Sequence, residues 1–300
     1  MRLQNWLLFA TVVVLWGSNW PVMKIGLGFV PPVTFVLHRF LVSAAVLLPA
    51  VVLFRKRVPR DRSTLVKLFG LCLIFTAIIV TQALGLFQES SGIASVLTYT
   101  QPLFVFCLAV PFLAERVTSV KVLGVVVGFG GVVVLFLGRL GAFPVDSILT
   151  MLLGALLWAV SVLYYKKFLA HVDPFVTHFM QMAVGSVFLS MYVFGVTGFA
   201  VSTDMNYVVL LLVSASGALA AGNVIWFYLL QKEEATTLSG SSLIIPVVAM
   251  FSGWLILNES LYLASVVGAA LTLFGVYMVN FRGKERNGVT AQFGDGQGKA

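Results

Sequence analysis

Residues 16–24 read WGSNWPVMK, and residues 158–166 read WAVSVLYYK. In both stretches a Trp is followed eight residues later by a Lys. Eight residues further on stands a proline, Pro32 in one case and Pro174 in the other, so the offset is 142. Later in the chain Pro102 and Glu115 lie 13 apart, as do Pro246 and Glu259, at an offset of 144. Gly124 and Gly131 match Gly268 and Gly275 at that same offset. Seven positions matched in order and nearly in register mark an internal repeat.

The composition says what kind of repeat this is. The chain has 300 residues, 60% hydrophobic and only 10% charged, where soluble proteins run near 25% charged. One water-soluble core cannot hide that much apolar surface. A soluble enzyme, a secreted module and a disordered regulator are therefore excluded, which leaves an all-α polytopic membrane protein. A spanning helix needs about 20 largely apolar residues. Ten segments qualify, at 4–24, 33–54, 65–86, 92–113, 119–138, 147–165, 174–196, 206–230, 236–257 and 262–281. The loops between them are too short for a soluble domain. The first segment has only Arg2 ahead of it and no small-x-small cleavage site, so it reads as a retained helix and not a signal peptide. The tail RGKERNGVTAQFGDGQGKA at 282–300 is Gly-rich and aperiodic, and disorder is expected there. Cys72 and Cys107 lie in apolar runs and read as packing residues, with no disulfide framework or metal spacing.

Lys and Arg set the orientation. With the N-terminus in the cytoplasm, 16 of the 19 basic residues fall on the cytoplasmic side, among them Arg55, Lys56, Arg57, Arg60, Arg62, Lys67, Lys166, Lys167 and Lys232. Lys24 and Arg139 fall outside, and Arg39 lies within a span. This predicts cytoplasmic N- and C-termini in a plasma membrane, and it explains the net charge of +8 without nucleic acid. Each half of the chain (1–141 and 142–281, with the tail 282–300 apart) holds five spans. Five is odd, so the second half enters the membrane from the opposite side. Inverted repeats of this kind are the architecture of secondary transporters, whose site lies near the midplane between the repeats.

On these residues the chain resembles the drug/metabolite transporter superfamily, in its EamA family of ten-helix exporters. WGSNWPVMK at 16–24, the step from Pro32 to Arg39, and the Pro–Glu–Gly blocks at 102–131 and 246–275 carry the resemblance. It implies two five-helix bundles around a central cavity, and export of amino acids or related small metabolites. The internal symmetry fails at Arg39, whose partner position is Gln181.

An ionisable group at the bilayer centre costs roughly 2.5–3.5 kcal/mol on insertion scales, so each one needs a reason. All 11 acids fall at loops, helix ends or the tail. The absence of a buried carboxylate weighs against a pump for cationic drugs. Lys24 and Arg39, with His38 beside it, would make the outer half of a cavity positive and attract a carboxylate. Against this, Lys24 could snorkel to headgroups and Arg39 could bond backbone carbonyls. Trp16, Asn19 and Trp20 share one helical stripe and suit a cavity wall, with Trp158 repeating Trp16. Gly17 and Pro21 suggest a break or kink there.

SVLTYTQP at 95–102 and SGSSLIIP at 239–246 place Tyr99 and Gln101, and Ser241 and Ser242, just ahead of the matched prolines Pro102 and Pro246. Kinked gating helices are expected at both. Gln82, Asn223 and Trp226 are further wall candidates, and His178 and Gln181 are neighbours on one face of the seventh span. Gly124, Gly128 and Gly131, facing Gly268, Thr272 and Gly275, suit close helix packing within the protomer or at a homodimer contact. Glu115 and Glu259 sit at turns where the dipoles of the fifth and tenth spans favour a negative charge.

The function these residues point to is secondary transport. The solute would be a small zwitterionic or anionic metabolite, moved by facilitated flux or by proton antiport through His38, His178 or a tyrosine. A sugar-phosphate or nucleotide-type carrier would want more cavity cations. A lipid-modifying membrane enzyme would want a His, Asp or Glu cluster that the sequence lacks. No cofactor and no metal site is expected.

Overall fold

The structure, a computed structural model, describes residues 3–54, 58–113, 118–136, 145–233, 238–239 and 241–281. Glu115, Arg139 and the tail 282–300 lie outside the described residues. Helices account for the architecture, and no strand occurs among the described residues. They are α1 (Leu3–Gly26), α2 (Pro32–Leu53), α3 (Arg62–Gln88), α4 (Ser91–Thr98), α5 (Gln101–Leu113) and α6 (Ser119–Phe136) in the first half. The second half holds α7 (Val145–Phe168), α8 (Pro174–Tyr192), α9 (Met205–Val213), α10 (Asn223–Lys232), α11 (Ile244–Leu257) and α12 (Leu263–Phe281). Seven helical stretches are long and apolar enough to cross a bilayer, and three shorter apolar helices, in α6, α11 and α12, complete two sets of five.

The main packing pairs are symmetric between the halves. α1 packs on α11 as α7 packs on α5 and α4. α1 also packs along the eighth span as α7 does along α3, while α2 meets the eighth span as α8 meets α3. α2 meets α8, α4 meets α11, and α6 meets α12. Exchange of the halves maps this set onto itself, as two inverted five-helix repeats require.

The matched residues start and stop helices. Pro32 and Pro174 occupy the first turns of α2 and α8, where a missing N–H costs nothing. Asp61, Asp173 and Asp204 accept from the backbone N–H of Thr64, Phe175 and Asn206 at 2.8–2.9 Å and so N-cap α3, α8 and α9. The Thr64 bonds hold the Asp61 carboxyl below its ordinary pKa.

Two expectations about prolines change. The fourth span is not one kinked helix. It stops at Tyr99–Thr100 and restarts as α5, so Pro102 falls in a first turn. The ninth span likewise turns at Ser242–Leu243 before α11, with Pro246 in its first turn. A helix that restarts there has no carbonyl for proline to clash with. Pro21, by contrast, lies inside an unbroken α1. The irregularity that the sequence did not announce is a π-helix over Ser214–Gly222, between α9 and α10. A second π segment, Val193–Thr197, follows α8.

Carboxylates tie the repeats together. Glu259 accepts from Ser91 N (2.7 Å), Ser91 Oγ (2.9 Å) and Gly92 N (3.3 Å). Its charge therefore caps α4 and not the tenth span that follows it in sequence. Glu89 accepts from Ser147 Oγ at 3.1 Å, and Glu233 accepts from Asn5 Nδ2 at 2.7 Å. Glu89 and Glu233 are 144 apart, and Asn5 and Ser147 are 142 apart. These are one repeat-related contact made twice, a match the sequence reading missed.

The glycine faces settle inside the protomer. A Cβ on Gly131 would collide with the Thr272 backbone, and one on Gly275 with the backbone of Gly128. α6 and α12 therefore approach backbone to backbone. Gly131→Leu should lower stability by about 1–3 kcal/mol or more, as overpacking does. Gly130→Leu, at a site with nothing within 4 Å, should leave it nearly unchanged. Thermal unfolding of the two variants in detergent checks this.

Candidate functional site: a cavity between the repeats

A cavity of about 80 Å³ opens between the halves. On a measure by which one water needs about 10–15 Å³, it has room for a small solute. Its walls come from α1 (Trp16, Asn19, Trp20, Met23), α2 (Arg39), α3 (Phe75, Ile78, Ile79, Gln82) and α4 with its following turn (Thr98, Tyr99). The second half supplies Trp158, Ser161 and Val162 of α7, Ala218 and Leu219 of the π-helix, and Asn223, Trp226, Phe227 and Leu230 of α10.

Three tryptophans meet at its centre. Trp16 and Trp158, the repeat mates, have ring centroids 5.8 Å apart in an edge-on arrangement. Trp226 lies 5.2 Å from Trp16 and 6.0 Å from Trp158, and Tyr99 sits edge-on to Trp158 at 5.3 Å. Offset and edge-on pairs are the favoured aromatic geometries.

The π-helix is held by side chains. Trp16 Nε1 donates to the Ala218 carbonyl at 3.0 Å. His178 Nε2 lies 2.7 Å from the Leu219 carbonyl, to which it donates, and Asn223 Nδ2 donates to the same carbonyl at 2.9 Å. Ser214 Oγ donates to Asn19 Oδ1 at 2.7 Å. A π-turn displaces carbonyls from the α ladder, and in an apolar interior something must answer them. Trp16 also fits only because position 222 is Gly, whose absent side chain would stand against the indole Nε1.

Arg39 is the only charged side chain on the wall among the described residues. It is 2% exposed. Its Nε and Nη1 have no hydrogen-bond partner, and its guanidinium carbon lies 5.7 Å from the Phe35 ring centre. The backbone-carbonyl alternative thus leaves two donors over.

The structure brings Trp16, Asn19, Trp20, Arg39, Gln82, Tyr99, Trp158, Asn223 and Trp226 together on the wall. It places the other candidates elsewhere. His38 Nδ1 lies 2.6 Å from the Tyr207 hydroxyl, in a bond between α2 and α9. His178 and Gln181 pair with each other at 2.9 Å behind the wall. Gln101 is buried just past the break in the fourth span, and neither its oxygen nor its nitrogen has a partner. Ser241 lies beyond the cavity, as do Pro21, Pro102 and Pro246. Sequence reasoning missed Ser161 and Val162. Their offset of 142 from Asn19 and Trp20 was the signal that could have found them.

Lys24 is also off the wall. Its Nζ donates to the Leu86 and Phe87 carbonyls at 2.8 and 3.0 Å, closing the C-terminal turn of α3. Lys166 does the same for α10, reaching the Leu230 and Glu233 carbonyls at 2.6 and 2.8 Å. The matched lysines are helix C-caps, where a cation meets unsatisfied carbonyls and the negative end of the dipole.

A cavity at the junction of two inverted five-helix repeats, walled by interrupted helices, is the layout of a secondary transporter. The EamA-like transporter family model matches the chain twice, over residues 5–137 and 146–281, and the chain belongs to that family. An uncharacterized transporter of Bacillus subtilis, YvbV, is 30% identical over 281 residues, covering 93% of this chain and 92% of its own. A probable amino-acid metabolite efflux pump of Escherichia coli is 28% identical over 292 residues, covering 93% and 95%. A solved crystal structure superposes with a TM-score of 0.70 at 18% identity, covering 94% of this chain and all of its own, which shows a shared fold.

Lys24→Met and Lys166→Met should each lower thermal stability, since the last carbonyls of α3 and α10 lose their donor at about 1–3 kcal/mol. The KM of the folded fraction should stay near that of the parent. A several-fold rise in KM for Lys24→Met alone would return Lys24 to the site.

Proposed function

We propose that the chain exports a small zwitterionic or anionic metabolite, such as an amino acid, by alternating access through this cavity. The observation that carries the reading is Arg39, a buried guanidinium with two unpartnered donors on a wall of tryptophans, amides and hydroxyls. A carboxylate fits a guanidinium through two parallel hydrogen bonds. The aromatic faces suit the apolar or cationic part of the same solute. The E. coli and Salmonella typhimurium relatives named as probable amino-acid metabolite efflux pumps support the solute class. One wall cation argues against a sugar phosphate or nucleotide, whose several negative charges would want more.

The bias of the basic residues supports an orientation in a plasma membrane with the N-terminus, Lys166 and the start of α3 on the cytoplasmic side. No carboxylate lines the cavity among the described residues, so the reading favours flux down the solute gradient over proton exchange.

Purified protein in proteoliposomes should show counterflow of amino acids or organic acids without a pH gradient. Arg39→Ala should cut it at least tenfold while the protein still inserts and elutes as the parent does. Arg39→Lys should recover part of the loss, because charge returns but the planar fork does not. Accumulation against a gradient only when a pH difference is imposed would overturn the facilitator reading. Unchanged kinetics in Arg39→Ala would remove the carboxylate site.

A further inference from the structure

On the membrane-facing side of α3 and α8, away from the central cavity, a groove of about 330 Å³ is lined by Leu65, Val66, Phe69, Met180 and Val184, with Arg62 as its sole polar member. Arg62 begins α3, and Phe69 lies seven residues on, roughly 10 Å deeper at 1.5 Å per residue. The groove is thus apolar along its length and cationic at its mouth.

The mouth sits in a basic neighbourhood. Lys67 and Lys167 both stand over the Phe168 ring, each 5.5 Å from its centre, which brings the start of α3 and the end of α7 to one face. Arg60 is exposed two residues before Arg62, and His171 is exposed near Asp61. The two acids of this corner, Asp61 and Asp173, are engaged in capping α3 and α8. Arg60, Arg62, Lys67 and Lys167 thus outnumber the two capping carboxylates.

The repeat supplies a control within the same molecule. The inverted counterpart of the α3–α8 junction is that of α9 with α2, at the opposite face. There aromatic side chains pack inward. Tyr207 is 2% exposed, is bonded to His38, and packs at 5.5 Å from Phe29, while His38 meets Phe199 at 5.5 Å. The helix start at that junction carries the capping acid Asp204 and no Lys or Arg in α9. One junction carries packed aromatics and an acid at its rim. The other carries a groove with a basic mouth.

We infer that the α3–α8 groove is a binding site for an anionic phospholipid, with an acyl chain along Phe69, Met180 and Val184 and its phosphate at Arg62. A neutral chain alone would explain the apolar lining but not the cationic mouth. Free phosphate would explain the mouth but not the groove. Basic pockets between spans at a cytoplasmic face are where anionic headgroups are held.

The test uses the full chain in nanodiscs and detergent, with phosphatidylglycerol as the probe and phosphatidylcholine as the reference. Native mass spectrometry should show phosphatidylglycerol retained on the parent in preference to phosphatidylcholine. Arg62→Ala should weaken that retention about fivefold, the effect of one basic residue at an anionic surface. Val184→Trp should weaken it by filling the groove while the mouth stays intact. Lys232→Ala, a cation on the same face at the end of α10, should leave it unchanged. Equal retention of the two lipids by the parent overturns the proposal. So does an equal loss in Lys232→Ala and Arg62→Ala, which is general surface charge, and so does full retention in Val184→Trp, which leaves no chain in the groove. Elution and thermal unfolding matching the parent confirm that each variant folds.

Discussion

A peptide group that ends a helix inside a bilayer has no water to turn to, and that constraint organises this molecule. At several places where a helix stops, restarts or widens, a side chain answers the freed group, often from another span. Lys24 and Lys166 answer the last carbonyls of α3 and α10. Glu259 answers the first N–H groups of α4. Trp16, His178 and Asn223 answer the carbonyls of the π-helix. Most of these bonds cross between elements distant in sequence, so satisfying the backbone and assembling the two repeats are one event. This is also why interrupted helices can wall a cavity at membrane depth, where an unsupported break would be expensive.

The frame is symmetric and the wall is not. Trp16 and Trp158 meet at the centre as mates, but Trp226 stands opposite Gln82, Asn19 opposite Ser161, Trp20 opposite Val162 and Arg39 opposite Gln181. α3 runs unbroken, whereas its counterpart is opened by nine residues of π-helix. Lys24 and Lys166, Pro32 and Pro174, and Glu89 and Glu233 kept their repeat identity because both ends pose the same backbone problem. Trp16 and Trp158 apart, residues that face the cavity did not, and on the proposed function a single solute lying across the two-fold would meet each half with a different part of itself.

What could be read from the sequence divides along the same line. Spans, repeat and family were legible because apolar length and matched Pro, Glu and Gly positions are one-dimensional signals. The wall residues of α1 were legible because a polar stripe on an apolar helix is conspicuous. Lys24 was not placed correctly, since its bond partners lie 62 and 63 residues away, and a lysine near a helix end looks alike whether it caps, snorkels or binds. The breaks at Tyr99–Thr100 and Ser242–Leu243 were felt through their prolines but read as kinks, because sequence does not distinguish a proline that bends a helix from one that begins the next. The π-helix left no mark beyond a run of small residues. His178 and Gln181 could be read only as neighbours on one face, because the Leu219 carbonyl that His178 supports was invisible.

Among the described residues, Arg39 lacks what the charges held between the spans have. Glu89, Glu233, Glu259, Lys24 and Lys166 are each matched by hydroxyl, amide or backbone partners. Arg39 keeps two donors unanswered on the cavity wall. Two like charges about 6 Å apart at an effective dielectric near 20 repel by about 2.8 kcal/mol, roughly a hundredfold in occupancy. A carboxylate at that distance gains about as much. On the proposed function, that one unpaired side chain separates cations from anions and zwitterions before any finer contact is made. The tryptophans are left to choose among solutes that carry the carboxylate, and their lopsided arrangement gives them two different ends with which to do it.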